Sequence, residues 1–96
     1  MTVGGAPVNA HPELSCNGRR WGAARGPLRV GSSPAADVVV ADPAVAPVHA
    51  VVVPGPSGRW VLRDLGSPGG TWVGGRTVAT VEITGELVVH LGAAGG

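Results

Sequence analysis

The chain predicts an all-β sandwich or barrel, and three observations carry that reading. No stretch of twelve residues keeps apolar side chains at helical spacing without a Gly or Pro inside it, and either residue weakens or breaks a helix interior. Short runs rich in Val, Leu and Trp recur along the sequence, each closed by Gly, Pro, Asn or Asp, which is strand and turn chemistry in alternation. The 96 residues are 44% hydrophobic with a net charge of only +1. Disordered chains have few apolar residues and high net charge, so one small folded domain is expected, rich in turns because 17 residues are Gly and 9 are Pro.

Residues 1–11 carry no strand signal and are expected to form a loose leader before a domain spanning 12–96. Leu14-Ser15-Cys16 and Arg19-Arg20-Trp21 flank Asn17-Gly18, a two-residue hairpin signal, since a type I′ turn needs positive φ at both central positions. Strands are expected next at residues 28–31, 38–40 and 49–53, then at 59–64 after the loop Pro54-Gly55-Pro56-Ser57-Gly58. Residues 66–70 are a turn cluster. Thr71-Trp72-Val73, Gly74-Gly75 and Arg76-Thr77-Val78 form a second tight hairpin, and strands at 81–83 and 86–91 close the domain.

Composition excludes several functions. All seven basic residues are Arg, at 19, 20, 25, 29, 59, 63 and 76; they are scattered, whereas nucleic-acid binding needs a clustered basic face, so no nucleic-acid partner is expected. Trp21, Trp60 and Trp72 lack a basic surround and are read as packing residues. A single cysteine, Cys16, excludes an internal disulfide. His11, His49 and His90 show no paired spacing, so no metal site and no cofactor are expected. Residues 1–10 lack the charged start and apolar run of a signal peptide. The most apolar region, 38–53, is interrupted by Asp42, Pro43, Pro47 and His49, which predicts no membrane insertion; with a single cysteine, a cytoplasmic location is the default expectation. The Gly95-Gly96 ending is compatible with a domain of a longer polypeptide.

Catalytic motifs fail in the same way. Gly66-Ser67-Pro68-Gly69-Gly70-Thr71 lacks the Lys and the following helix of a phosphate loop. Ser67, His49 and Asp64 lack a nucleophile elbow. No enzymatic activity is expected. Asp37 and Asp64 are read as loop-capping residues. His49 opens an apolar strand directly after a loop containing Pro43 and Pro47. An imidazole there can donate from one nitrogen and accept at the other, tying the loop to the strand edge.

The order of the segments then resembles a known family. Val30-Gly31, Asp37 to Val40, Val45 to Ala50, Trp60 through Ser67, Gly70-Thr71, Gly75 to Val78 and Leu91-Gly92 resemble, in order and spacing, a forkhead-associated (FHA) domain. The resemblance covers about residues 12 to 92 and implies an FHA-type (SMAD/FHA-like) β-sandwich of about eleven short strands. It also implies loops at one end that bind a phosphothreonine peptide. Residues 78–91 are most similar to amino-terminal FHA domains of actinobacterial ABC-transporter proteins, a resemblance that implies a place at the cytoplasmic face of a membrane if the domain is part of a transporter.

The departures fall on the residues that the family uses to hold phosphate. Where the family has Gly-Arg, this chain has Gly31-Ser32, followed by Ser33. Where it has Ser-Arg-x-His, this chain has Ala46-Pro47-Val48-His49, and where it has Asn-Gly, this chain has Gly69-Gly70. The matching positions, Gly31, His49 and Gly70, shape loops, since glycine permits positive φ and close approach. The missing groups are those that would neutralise a dianion. The expectation is therefore a non-enzymatic protein-interaction module whose phosphothreonine pocket is degenerate and whose partner, a protein or peptide, is engaged without phosphate. The alternative is a phosphothreonine reader that uses substitute donors, such as Ser32, Ser33 and the amides around Gly69-Gly70, and regulates a larger protein such as an ABC transporter.

Overall fold

The computed structural model describes residues 1–4, 12–16, 18–23, 26–56 and 59–93. Among them, eleven strands are formed: β1 (Thr2–Gly4), β2 (Glu13–Cys16), β3 (Arg19–Gly22), β4 (Leu28–Gly31), β5 (Val38–Val39), β6 (Ala50–Pro54), β7 (Trp60–Asp64), β8 (Thr71–Val73), β9 (Arg76–Thr77), β10 (Thr80–Glu82) and β11 (Glu86–Leu91). They make a six-stranded sheet in the order β3-β2-β1-β11-β8-β9 and a five-stranded sheet in the order β10-β7-β6-β4-β5. All pairs are antiparallel except β4 with β5, which run parallel with Val30 opposite Val38. The described residues contain no helix long and apolar enough to cross a membrane.

Alternation explains why the two sheets face each other. In β6, Ala50 and Val52 are buried while Val51 and Val53 are less so; in β4, Val30 is buried and Arg29 exposed. Val3, Leu14 and Val89 from the first sheet meet Val30, Val38, Ala50, Val52 and Leu62 from the second, and Ile83 joins them from the crossover between β10 and β11. Removing these side chains from water at about 25 cal/mol per Å² is the main stabilising term. Trp21 and Trp60 pack at the margin of this core, as their sequence context predicts.

The expected all-β sandwich is present, and most strands lie within a residue or two of their sequence-derived bounds. The tight hairpins are also as expected. Gly74 and Gly75 have φ of +60° and +79°, the left-handed pair that a two-residue turn between β8 and β9 requires. Gly18 has φ +79°; its partner Asn17 lies outside the described residues. The loose leader needs correction in its first residues. Thr2–Gly4 is a central strand, paired with β2 and β11, and Val3 is fully buried. Three residues beside Gly4-Gly5 carry too short a pattern for alternation to register, and the strand exists because β2 and β11 both lack a partner on that side. Residues 5–11 lie outside the described set.

Candidate functional site

The ends of β4, β7 and β11 and the starts of β6 and β8 meet at one end of the sandwich, and one side chain ties their loops together. His49 is fully buried just before β6. Its backbone extends the ladder on both sides, donating to the Val30 carbonyl at 2.8 Å and accepting from the Leu65 amide at 3.0 Å. Its Nδ1 lies 3.0 Å from the Ala46 amide nitrogen and its Nε2 lies 2.8 Å from the Gly70 carbonyl oxygen. An amide can only donate and a carbonyl can only accept, so these partners assign the neutral tautomer with its proton on Nε2. The imidazole thus links the loop before β6 to the loop before β8, across the two sheets. Neither ring partner, the Ala46 amide nor the Gly70 carbonyl, is legible in the sequence.

Asp64, at the end of β7, organises the adjoining loop. Its Oδ1 accepts from the Ser67 hydroxyl at 2.5 Å and the Thr71 hydroxyl at 2.8 Å. Its Oδ2 accepts from the amides of Gly66 at 2.9 Å and Ser67 at 3.3 Å. Burial pushes this carboxyl up, but the two hydroxyls and two amides favour its charged form and together hold it below its ordinary value of 3.8. A depressed folded-state value means that this carboxylate stabilises the fold above the ordinary value and that the contribution is lost as pH falls through the folded one. Urea unfolding at pH about 7 and about 3 is expected to show a loss of stability in the native chain, and a smaller loss in Asp64→Asn, which carries no charge at either pH. An equal loss in both would assign the acid sensitivity to other carboxylates.

Ser32, Ser33, Ala46, Pro47, Gly69 and Gly70, the positions where the FHA resemblance places phosphopeptide contacts, are gathered at this end of the fold. Most of their amides and hydroxyls bond within the fold. The Ser32 amide donates to Ala46 and the Ser33 amide to Pro47, at 3.0 and 3.2 Å. The Ser32 hydroxyl donates to the Val45 carbonyl at 2.8 Å, and the Ser33 hydroxyl accepts from the Ala35 amide at 3.1 Å. The Gly70 amide donates to the Ser67 carbonyl at 3.2 Å. No arginine belongs to any of these three loops. Arg29 lies in β4 with its guanidinium 3.5 Å from Asp37, and Arg76 lies on the edge strand β9. Among the described residues, no group of three or more His, Cys, Asp or Glu side chains could hold a metal ion.

Backbone crowding explains the glycines. A Cβ on Gly31 would fall on the Pro47 carbonyl group and the Val48 Cα; one on Gly69 would fall on the backbone of Gly92. Gly92 itself, with φ +87°, lies against the Ala44 carbonyl and donates to the Gly70 carbonyl at 2.8 Å. In the sequence Gly92 is legible only as the end of the Leu91-Gly92 block, and Asp64 only as a loop cap without its hydroxyl partners. The Asp64-to-Ser67 spacing is a local signal for the first of these; nothing local signals Thr71 or Gly92. Trp72 is pinned by an indole N–H bond to the Gly69 carbonyl at 2.9 Å, so it is a positioned side chain in place of a free stacking surface.

Comparison with known proteins adds to this geometry. A family model described as FHA domain matches residues 28–92. The chain is similar to the FHA-1 domain of Rv1747 from Mycobacterium tuberculosis, with 33% identity and a TM-score of 0.80 over 88% of this chain and 86% of that one. It is similar to the FHA-2 domain of the same organism's ABC transporter Rv1747, with 31% identity and a TM-score of 0.61 over 82% and 73%. The FhaA FHA domain, solved in complex with the intracellular domain of Rv3910, shares the fold at 23% identity and a TM-score of 0.69 over 95% and 90%. No curated protein sequence matches the chain.

Proposed function

This chain belongs to the FHA domain family, and on that premise we propose that it is a non-enzymatic interaction module that engages a protein partner without reading phosphate. The observation that supports this most is the direction of the hydrogen bonds at the loop end. The Ser32 hydroxyl, the amides of Ser32, Ser33, Ala46 and Gly70, and the hydroxyls of Ser67 and Thr71 all donate to groups within the fold. Phosphate carries about −1.5 to −2 charges at neutral pH and needs charged or unengaged donors when it leaves water. Each hydrogen bond lost to a charged group costs about 1.5–3 kcal/mol. Three missing contacts move micromolar recognition to about millimolar or weaker, at about tenfold per 1.4 kcal/mol, even after discounting for non-additivity. What survives at this end is the scaffold of a reader without its cations.

The likeness to two FHA domains of Rv1747 supports a role beside or within a larger protein, such as a transporter. A charge-restoring variant tests the proposal. Ser32→Arg, Ala46→Ser and Pro47→Arg place the family's polar groups on three loop positions; Gly69 is left unchanged because a side chain there meets the Gly92 backbone. The triple variant is expected to gain phosphate-dependent peptide binding of about a hundredfold or more over the native chain. A folded variant with no gain would contradict the assignment of these loops.

A further inference from the structure

We propose that the outer face of the β10-β7-β6-β4-β5 sheet, next to the loop end, docks an extended acidic and apolar peptide segment of the partner; this rests on the reading of the domain as a phosphate-independent module. The register assembles the surface. Arg29 pairs with Val51 and Val51 with Arg63, across three neighbouring strands. Arg29 and Arg63 are exposed while their chain neighbours Val30 and Leu62 are fully buried, so both guanidiniums stand on the face away from the core. One step further toward the loops, Val39 lies opposite Gly31 and Leu65 continues the ladder from His49. Val48 sits where its Cα closes over Gly31.

Val39, Val48 and Leu65 are 40%, 41% and 47% exposed, three of the four large apolar side chains left in solvent among the described residues. Exposed apolar side chains on strands that also carry two outward arginines have the composition of a binding surface. The charge chooses the occupant. Arg63 forms no ion pair among the described residues, Arg29 is held by the exposed Asp37 at 3.5 Å, and the exposed Glu82, opposite Val61 on the edge strand β10, is the carboxylate on the Arg63 side of this face. With strands about 4.8 Å apart, the two guanidinium stems are roughly 10 Å apart. An extended peptide can meet both with carboxylates while its branched apolar residues cover the shelf of Val39, Val48 and Leu65.

The experiment is an NMR titration of the domain with a peptide in which Asp and Glu alternate with Val and Leu. Two companions accompany it, one with Lys for every acid and one with an added phosphothreonine. Shifts confined to Arg29, Val39, Val48, Val51, Arg63 and Leu65 with the acidic peptide, absent with its Lys twin, are expected. Arg63→Glu is expected to weaken that binding about fivefold, and Leu65→Ala to weaken it while both variants keep the native melting temperature. Silence of this face toward the acidic peptide, or equal binding of the Lys twin, would overturn the proposal. So would shifts at this face produced by raising protein concentration alone, which would make the occupant a second copy. Shifts at Ser32 and Gly69 that require the phosphate would instead overturn the phosphate-independent reading, and leave a distinct record from failure at the sheet face.

Discussion

His49→Ala is expected to lower stability by about 3 kcal/mol and the melting temperature by roughly 15 °C. Two physical losses add. The Ala46 amide, which His49 Nδ1 accepts, is left without a partner, at a cost of about 1–3 kcal/mol for a buried group. The fully buried imidazole leaves a void, which adds a cavity term of its own. The Gly70 carbonyl keeps its bond from the Gly92 amide, so that side of the link loses less. His49→Asn, whose side-chain oxygen can accept in the place of Nδ1, is expected to recover part of the loss. Thermal unfolding checks both variants, with amide exchange at Ala46 and Gly70 as the local readout. Native stability in His49→Ala, with loss of partner binding only, would make His49 a contact residue and contradict its role as the tie between loops.

Gly31→Ala is expected to be comparably damaging, by about 3 kcal/mol, for a steric reason alone. The added Cβ meets the Pro47 carbonyl group and the Val48 Cα, all backbone, so no side chain can rotate away. Relief requires moving the loop before β6, and with it the Ser33 amide bond to the Pro47 carbonyl. Gly85→Ala, where nothing lies within 4 Å and φ is ordinary, is expected to change stability by less than about 0.5 kcal/mol. Denaturant unfolding of the pair separates close packing from the general entropic effect of replacing glycine. Equal effects at the two positions would contradict the close approach of Gly31 to the loop.

What the sequence made legible was local. Turn glycines and short β-branched runs marked ten of the strands, because positive φ at Gly18, Gly74 and Gly75 and the burial of alternate residues in β4 and β6 are properties of neighbours in the chain. The first strand was hidden because Thr2–Gly4 owes its structure to β2 and β11, the latter more than eighty residues away in sequence, with Thr2 opposite Val88. The site followed the same rule. His49 could be read as a loop tie from its place after Pro43 and Pro47, but its partners at Ala46 and Gly70 belong to different sheets' loops. The inward donation of Ser32, Ser67 and Thr71 hydroxyls was illegible altogether, since a serine or threonine in sequence carries no direction. That direction is the observation on which the proposal of phosphate-independent binding rests.

Phosphate dependence is therefore the property to measure first. The native domain, titrated with a phosphothreonine peptide library and its unphosphorylated twin and followed by backbone NMR shifts, is expected to show no phosphate-dependent change around Ser32, Ala46 and Gly69 at submillimolar peptide. Saturating shifts at those residues in the micromolar range, about −8 kcal/mol, present with the phosphorylated library and absent with its twin, would mean that the loop donors turn outward to hold phosphate and would contradict the account.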